Sequence, residues 1–282
     1  MENLLLGVHV SISGSIDQAV DRAKDLGCTS FQIFTRNPRG WGVSDLDPTI
    51  VDSFIEKAEK YSLKSIVVHM PYLPNLASPD PDSFAKSVKA LETEVARCGR
   101  LNIPYLVTHL GSHLGKGVEI GIRNVVKACK EVLESVDNDV MILLENMAGT
   151  KNSVGSLFEN VRQIIDEIDV KERVGVCFDT CHAFAAGYDL RDATAVNKTL
   201  SIFDRIIGVS KIKVVHLNDS TGDISSFRDR HDHIGEGYIG IEGFRSFIND
   251  KRIRKTPMIL ETPIDNRRDD KENLAKIREL VS

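Results

Sequence analysis

The chain has 282 residues, 41% of them hydrophobic and 27% charged, which is apolar mass enough for a full core and excludes wholesale disorder. No apolar run approaches the roughly 18 residues that cross a bilayer, and five scattered cysteines are too few for a disulfide framework and point to a reducing, intracellular setting. The formal net charge of -5 argues, taken alone, against a nucleic-acid partner.

Along the chain, short β-branched or apolar runs alternate with amphipathic helical patterns. The first run, Leu4–Val10, follows Glu2 instead of a basic patch and is broken by His9, so no signal peptide is expected. Ile16, Ala19, Val20 and Ala23 then recur at helical spacing, with Ser15 as N-cap and Gly27 as stop. A second run, Thr29–Phe34, leads to Asp47-Pro48, a cap and N1 proline ahead of Ile50, Val51, Phe54, Ile55 and Ala58. Ser65–Val68 is followed by Ser83 leading into Val88, Leu91 and Val95. The remaining runs are Tyr105–Thr108, Val140–Leu144, Val174–Phe178, Lys213–Val215 and Met258–Leu260. The helical patterns that follow them are Val118–Leu133, Leu157–Ile168, Ala193–Ile207, Phe244–Ile248 and Lys271–Val281.

The runs are apolar with little strict alternation, as strands buried on both faces should be. At about 150 residues per domain the length suggests two domains, but closed α/β barrels run to about 250 as one. Eight strands, each followed by a helix and with no linker between them, predict a single-domain TIM (β/α)8 barrel over residues 1–282. Its active site would lie at the C-terminal ends of the strands. A doubly wound sheet is disfavoured because no G-x-G-x-x-G turn follows any strand.

The residues that terminate the eight runs are His9, Thr35, His69, His109, Glu145, Asp179, His216 and Glu261. Seven of these eight are potential metal ligands, in a chain with only 8 histidines. Two further groups join them: Asp179-Thr-Cys-His182 and Asp229-Arg-His231. Imidazole and carboxylate suit Zn²⁺ or Mn²⁺. More than four ligands implies more than one ion, and a carboxylate such as Glu145 can bridge two. Such a cluster clamps the attacking and leaving oxygens of a phosphoryl transfer. Five histidines and four carboxylates at one barrel mouth would otherwise face severe desolvation and repulsion.

Simpler readings apply to some of these residues. A lone strand-end histidine is more often structural than a ligand, which is the reading kept for His9. His113 and His233 lie one step beyond the ligand candidates and are expected behind them or on the surface. Cys177 and Cys181 have no second pair to complete a thiolate site, so Cys177 reads as core and Cys181 as packing.

The stretch Val174-Gly-Val-Cys-Phe-Asp-Thr-Cys-His182, and His216-Leu-Asn-Asp-Ser220 followed by Asp229-Arg-His231, resemble signature motifs of the endonuclease IV family. These are zinc-dependent apurinic/apyrimidinic endonucleases of base-excision repair. Supporting matches run the length of the chain: Gly7-Val-His9-Val-Ser11, Thr35-Arg-Asn-Pro-Arg39, His69-Met-Pro-Tyr72-Leu73, Gly111-Ser-His113, Leu144-Glu145-Asn146 and Leu260-Glu261-Thr262-Pro263. The resemblance implies a TIM barrel with three Zn²⁺. His69, His109 and Glu145 would hold the first. Glu145, Asp179, His216 and Glu261 would hold the second, with Glu145 shared. His182, Asp229 and His231 would hold the third.

It further implies hydrolysis of the phosphodiester 5′ to an abasic site, leaving a 3′-hydroxyl and a 5′-deoxyribose phosphate, together with cleaning of blocked 3′ ends. Glu145 would stand beside the attacking water and Glu261 would orient it. Arg39, Tyr72 and Leu73 would contact DNA, the last two as wedges at the lesion. The partner would be double-stranded DNA carrying abasic sites or blocked 3′ ends, with no membrane, and the chain a monomer in the cytoplasm or at the nucleoid. Thr221, Ser225, Leu110 and Thr150-Lys151 stand where the family usually has other residues, a glycine in the case of Ser225. None of these departures removes a ligand. Three Zn²⁺ bring six positive charges, which would turn the net charge of -5 into +1 and remove the objection to DNA. The competing enzyme class is a single-metal sugar isomerase or epimerase on the same barrel, for which Glu145, Asp179, His216 and Glu261 alone would suffice.

Overall fold

A computed structural model describes residues 4–282. In chain order its strands are β1 (Leu6–Val8), β2 (Gln32–Ile33), β3 (Val67–His69), β4 (Tyr105–Thr108), β5 (Met141–Glu145), β6 (Val174–Asp179), β7 (Ile212–His216), β8 (Asp219–Ser220), β9 (His231–Asp232) and β10 (Met258–Leu260). Eight of them pair in parallel in the order β1-β10-β7-β6-β5-β4-β3-β2. A parallel bridge between His9 and Gln32, with the Val10 N–H donating to the Gln32 carbonyl at 2.7 Å, joins the two ends into a TIM barrel. β8 and β9 form a separate antiparallel hairpin above the rim.

The helices are α1 (Gln18–Asp25), α2 (Pro48–Lys60), α3 (Pro81–Arg100), α4 (Val118–Ser135), α5 (Phe158–Glu167), α6 (Thr180–Ala185), α7 (Ala193–Ile206), α8 (Gly240–Ile248) and α9 (Asp270–Leu280). Local chemistry sets where they start. Asp47 caps α2 by accepting from the Thr49 N–H at 2.8 Å, with Pro48 in the first turn. Asp269 and Glu272 cap α9 reciprocally. Ser15 does not cap α1 as expected: Asp17 holds the N-cap position and the Ser15 hydroxyl bonds to its carboxylate. Nor does Ser83 open α3. Asp80 does, accepting from the Ser83 N–H at 2.8 Å, because Asp80-Pro81 offers a better acceptor and a pre-set φ. α8 begins at Gly240, earlier than its apolar spacing indicates.

The second strand is shorter than its apolar run. Thr29 and Ser30 use their hydroxyls to tie neighbouring chain, donating to the Leu4 and Ser65 carbonyls at 2.8 Å. Beside them Gly7 is obligatory, since a Cβ there would collide with the Ser30 carbonyl. All five cysteines are free and buried. Among the described residues no helix is long and apolar enough to cross a membrane.

The barrel interior places the chemistry. Val67, Val107, Leu143, Cys177, Val214 and Ile259 form an apolar cluster inside the strands, as the stacked layers of a filled barrel require. Successive inward side chains on a strand are two residues apart. The next inward positions toward the strand ends are therefore His69, His109, Glu145, Asp179, His216 and Glu261. One alternation thus builds a dry floor and a polar layer on top of it.

Candidate metal centre

At the C-terminal mouth, three groups of side chains, the first two sharing Glu145, each bring their donor atoms within 4.8 Å of one another. These are His69–His109–Glu145, Glu145–Asp179–His216–Glu261 and His182–Asp229–His231. All nine expected ligands are among them, so the structure gathers residues that lie up to 192 positions apart in sequence, from His69 to Glu261. Glu145 is common to the first two groups and is fully buried. Its Oε2 faces Nε2 of His69 and of His109, each at 3.3 Å, while its Oε1 faces Nδ1 of His216 at 3.1 Å and of His182 at 3.2 Å. Its two oxygens therefore address different groups.

The imidazoles are fixed from behind. His69 Nδ1 lies 2.6 Å from the Met70 carbonyl, His182 Nδ1 3.0 Å from that of Asn146, and His231 Nδ1 3.1 Å from that of Glu261. A carbonyl only accepts, so each Nδ1 carries the proton and each Nε2 keeps its lone pair toward the cluster. His216 is turned the other way. Its Nε2 donates to Gln32 Oε1 at 2.8 Å, leaving Nδ1 for the carboxylates. Nε2 of His231 is buried with no hydrogen-bond partner among the described residues, and Nε2 of His182 faces Asp229 Oδ1 at 3.1 Å. Oriented lone pairs without a donor are what a cation-binding site requires, and the N/O donor set fits Zn²⁺.

The electrostatics agree. Burial would push the Glu145 and Glu261 carboxyls up, but the fields of His109 and His216 at Glu145, and of His216 at Glu261, hold both well below the usual carboxylate range. Burial of Asp229 is likewise outweighed by His182, which brings its carboxyl down to about 2. Conversely, burial would lower His109 and His182, yet Glu145 raises the first, and Asp179, Asp229 and Glu145 hold the second well above its ordinary value. Four carboxylates demand positive charge here, from protonated imidazoles or from bound cations.

Several residues outside the ligand set matter as much, and sequence reasoning gave them no role. Gln32 donates to Glu261 Oε1 at 2.7 Å while its own oxygen accepts from His216, and its amide nitrogen meets His9 Nδ1 at 3.0 Å. Asn218 donates to Asp179 Oδ2 at 2.8 Å and accepts the Glu261 N–H at 2.8 Å. Asn146 accepts the Asp179 N–H at 2.9 Å and donates to its carbonyl at 3.0 Å. The other oxygen of Asp179 caps α6 through the His182 N–H at 2.7 Å. Asp219 is buried, and its carboxylate collects the backbone N–H groups of Ser220, Gly235, Gly237, Ile239 and Gly240. The signal was present: Gln32 is an amide inside an otherwise apolar strand, and the two asparagines adjoin ligands or follow them closely.

The remaining candidates divide. His9 stays outside the donor groups, packed on Phe34 at 4.3 Å between ring centres, and burial lowers its pKa. Thr35, the one strand-end residue without metal chemistry, is buried against Glu94 and Arg97. His113 accepts the Gly117 N–H at 3.0 Å, and the fully buried His233 bonds Asp265 at 3.0 Å and Asn273 at 2.9 Å. Cys177 lies in the barrel floor. The Cys181 sulfur comes within reach of Asp179 and His231, but burial pushes the thiol up to about 12, so it remains protonated. Tyr72 and Leu73 stand on the rim at 62% and 41% exposure. Tyr72 is set edge-on to Phe34 at 5.2 Å, and its N–H reaches the Pro38 carbonyl on the loop that presents the exposed Arg39.

The chain matches the sequence family described as "Xylose isomerase-like TIM barrel" over residues 20–280. It is 55% identical over 279 residues to "Probable endonuclease 4" of Methanoculleus marisnigri, covering 99% of both chains. Among solved structures it matches endonuclease IV from Thermus thermophilus at 35% identity and a TM-score of 0.87, with 98% of each chain covered. A D-tagatose 3-epimerase-like protein shares the fold at 23% identity and a TM-score of 0.73, covering 98% of this chain and 95% of its own.

Proposed function

The chain belongs to the endonuclease IV family, and from that premise we propose that it is a zinc-dependent DNA repair endonuclease. It hydrolyses the phosphodiester 5′ to an abasic deoxyribose in double-stranded DNA, leaving a 3′-hydroxyl and a 5′-deoxyribose phosphate. It also clears blocked 3′ ends, and it acts as a monomer. The observation that carries this reading is the convergence of nine donor side chains in three groups, two of them sharing Glu145, with imidazole lone pairs aimed inward.

His69, His109 and Glu145 would hold one Zn²⁺; Glu145, Asp179, His216 and Glu261 would hold a second; His182, Asp229 and His231 would hold the third. When bound, the ions supply Lewis-acid charge for the phosphate and bring a water's pKa to about 7. The protein's own groups do the positioning. Glu145, with one oxygen toward each of two donor groups, fixes their separation and stands beside the attacking water. Glu261, held by Gln32, orients that water. The apolar layer beneath keeps bulk water from the underside. An abasic site offers no base to read, so recognition relies on the missing base and on the ease of kinking there. Tyr72 and Leu73 serve as wedges on the rim, and Arg39 enters from the neighbouring loop.

Purified protein should contain about three Zn²⁺ per chain and nick an abasic duplex while sparing an undamaged one. Glu145→Gln should keep the fold and abolish incision; incision at a near wild-type rate would remove Glu145 from the reaction. The sugar epimerase reading has one favourable observation, the self-sufficient group Glu145–Asp179–His216–Glu261. It leaves His69, His109, His182, Asp229 and His231 without a task, and a single divalent ion per chain with no nicking would restore it.

A further inference from the structure

Not all exposed apolar side chains of the C-terminal face stand at the mouth. Trp41, the sole tryptophan, is 45% exposed on the loop that follows β2. With Val43 from the same loop and Lys86, Lys89 and Ala90 from α3, it lines a groove of about 350 Å³ that shares no residue with the pocket over the donor cluster.

The loop that carries Trp41 is braced. Glu94, fully buried on α3, accepts from Arg36 Nε at 2.6 Å and from the Thr35 hydroxyl at 2.5 Å. Arg97 donates to the carbonyls of Thr35 at 2.6 Å and Ser44 at 2.7 Å, and Arg100 to that of Leu46 at 2.7 Å. Arg36 closes the loop on itself through the Gly40 carbonyl at 2.9 Å. One helix therefore ties the loop at both ends and supplies the facing wall of the groove. Trp41 and Val43, at 45% and 46% exposure, leave a contiguous apolar patch in water on an ordered loop, the kind of surface that marks a binding site. The rim is cationic: Lys86 has no ion-pair partner among the described residues, and Lys89 pairs with Glu92 at 2.8 Å where both are open to solvent. Arg39 precedes Trp41 by two residues, so the groove continues the proposed lesion-facing surface outward.

We infer that this groove is a second DNA site, which stacks an unpaired nucleobase on Trp41 and holds the adjoining phosphate with Lys86 and Lys89. The inference rests on the endonuclease reading above. A flat aromatic face with cations at its edge suits a base carrying a phosphate, and it is tolerant of sequence because every base has a π face. A paired duplex keeps its base faces stacked, so the occupant is a base from a single-stranded flank or an unpaired position. The site would favour substrates whose abasic duplex adjoins unpaired DNA.

Because the chain has one tryptophan, its emission reports on this groove alone. Zinc-loaded protein is titrated with a short single-stranded oligonucleotide, a fully paired abasic duplex, and the same duplex with a single-stranded flank. Saturable quenching is expected with the first and third and little with the second. The double variant Lys86→Glu, Lys89→Glu should weaken the quenching isotherm by about tenfold at low salt while incising the paired abasic duplex at the wild-type rate. Trp41→Ala should raise KM for the flanked substrate by about fivefold or more with kcat unchanged. Binding of single strands, seen by anisotropy, with unchanged tryptophan emission overturns the inference, as does quenching that the charge reversals leave intact. A response to an acidic peptide but not to the oligonucleotide overturns it in favour of a protein partner. Incision without quenching removes this site alone, whereas loss of incision itself removes the endonuclease reading.

Discussion

Asp219→Asn tests whether the segment between β7 and α8 is a separately latched unit that presents Asp229 and His231. The Asp219 carboxylate receives two backbone N–H groups on Oδ1, from Ser220 at 2.8 Å and Ile239 at 2.9 Å. It receives three on Oδ2, from Gly235 at 2.9 Å, Gly237 at 3.1 Å and Gly240 at 3.3 Å. The approach is so close that a Cβ on Gly237 would collide with the Ser220 carbonyl and with this carboxylate. An asparagine that keeps its oxygen on the three-donor side turns an amide nitrogen toward the other two, which lose their acceptor in a buried position. At about 1–3 kcal/mol for each orphaned donor, the cost is about 2–6 kcal/mol. The barrel ladder does not include these bonds, so the penalty falls on the segment, which is also tied by the β8–β9 hairpin and by His233 to Asn273. Any ligand that needs the segment closed must offset it. Affinity at His182–Asp229–His231 should fall by about 30-fold or more, while the other two donor groups keep theirs. Competition of zinc against a chromophoric chelator measures the three affinities, and hydrogen exchange follows the five amides. Unchanged protection of those amides, or an equal loss at all three groups, refutes the latch.

Gln32→Leu removes the amide that fixes the His216 tautomer and restrains Glu261; metal affinity at the group they share should drop by about 10- to 100-fold with circular dichroism unchanged, and an unaltered isotherm sinks the assignment. Asp17 is predicted to carry acid-side stability. Burial would raise its carboxyl, but Lys57 at 2.8 Å with the Ser15 and Ser53 hydroxyls brings it from 3.8 down to about 2. A depressed carboxyl stabilises the fold fully above the unfolded value and loses that contribution as pH falls through the folded one. Asp17→Asn should therefore cost about 1–2 kcal/mol above pH 4, allowing for partial exposure of Lys57, and nothing near pH 2; urea melts that show a pH-independent difference contradict this. Ser225 stands at φ 59°, in the left-handed region that favours glycine, so Ser225→Gly should stabilise the protein by up to about 1 kcal/mol, and a lowered melting temperature argues otherwise.

The barrel and its ligand layer were legible because one rule produces both. Where a strand is buried on both faces, its end is marked by the first residue that cannot stay in an apolar layer, and at six strands that residue lies one inward step above the floor. Gln32 escaped notice because its strand reads as an apolar run. Only the closed barrel, which brings β1 and β10 beside it, shows that its amide serves three partners. The hairpin β8–β9 escaped for a different reason: two-residue strands have no period to detect, and a buried carboxylate collecting backbone amides holds the fold of that segment. α6 was hidden because Asp179 ends a strand, caps a helix and faces the cluster at once. Helix starts went wrong where two polar residues competed for the cap, as Asp80 and Ser83 did.

The net charge of -5 also takes on a different meaning once the charges are located. Four carboxylates are concentrated under the mouth, where a phosphate must come closest, and two of them are fully buried. A DNA strand approaching those carboxylates meets charge of its own sign unless protonated imidazoles or bound cations offset it. Attraction must then come either from cations within the layer or from groups at its rim. Rim groups such as Arg39 beside the wedges and Lys86 farther out are exposed, so their pull is screened within about a Debye length of 10 Å. Cations among the carboxylates are screened far less, because protein surrounds them. On the proposed reading, the acidity that first counted against a nucleic-acid partner would confine the decisive positive charge to the point of cleavage and leave the outer surface to position the DNA.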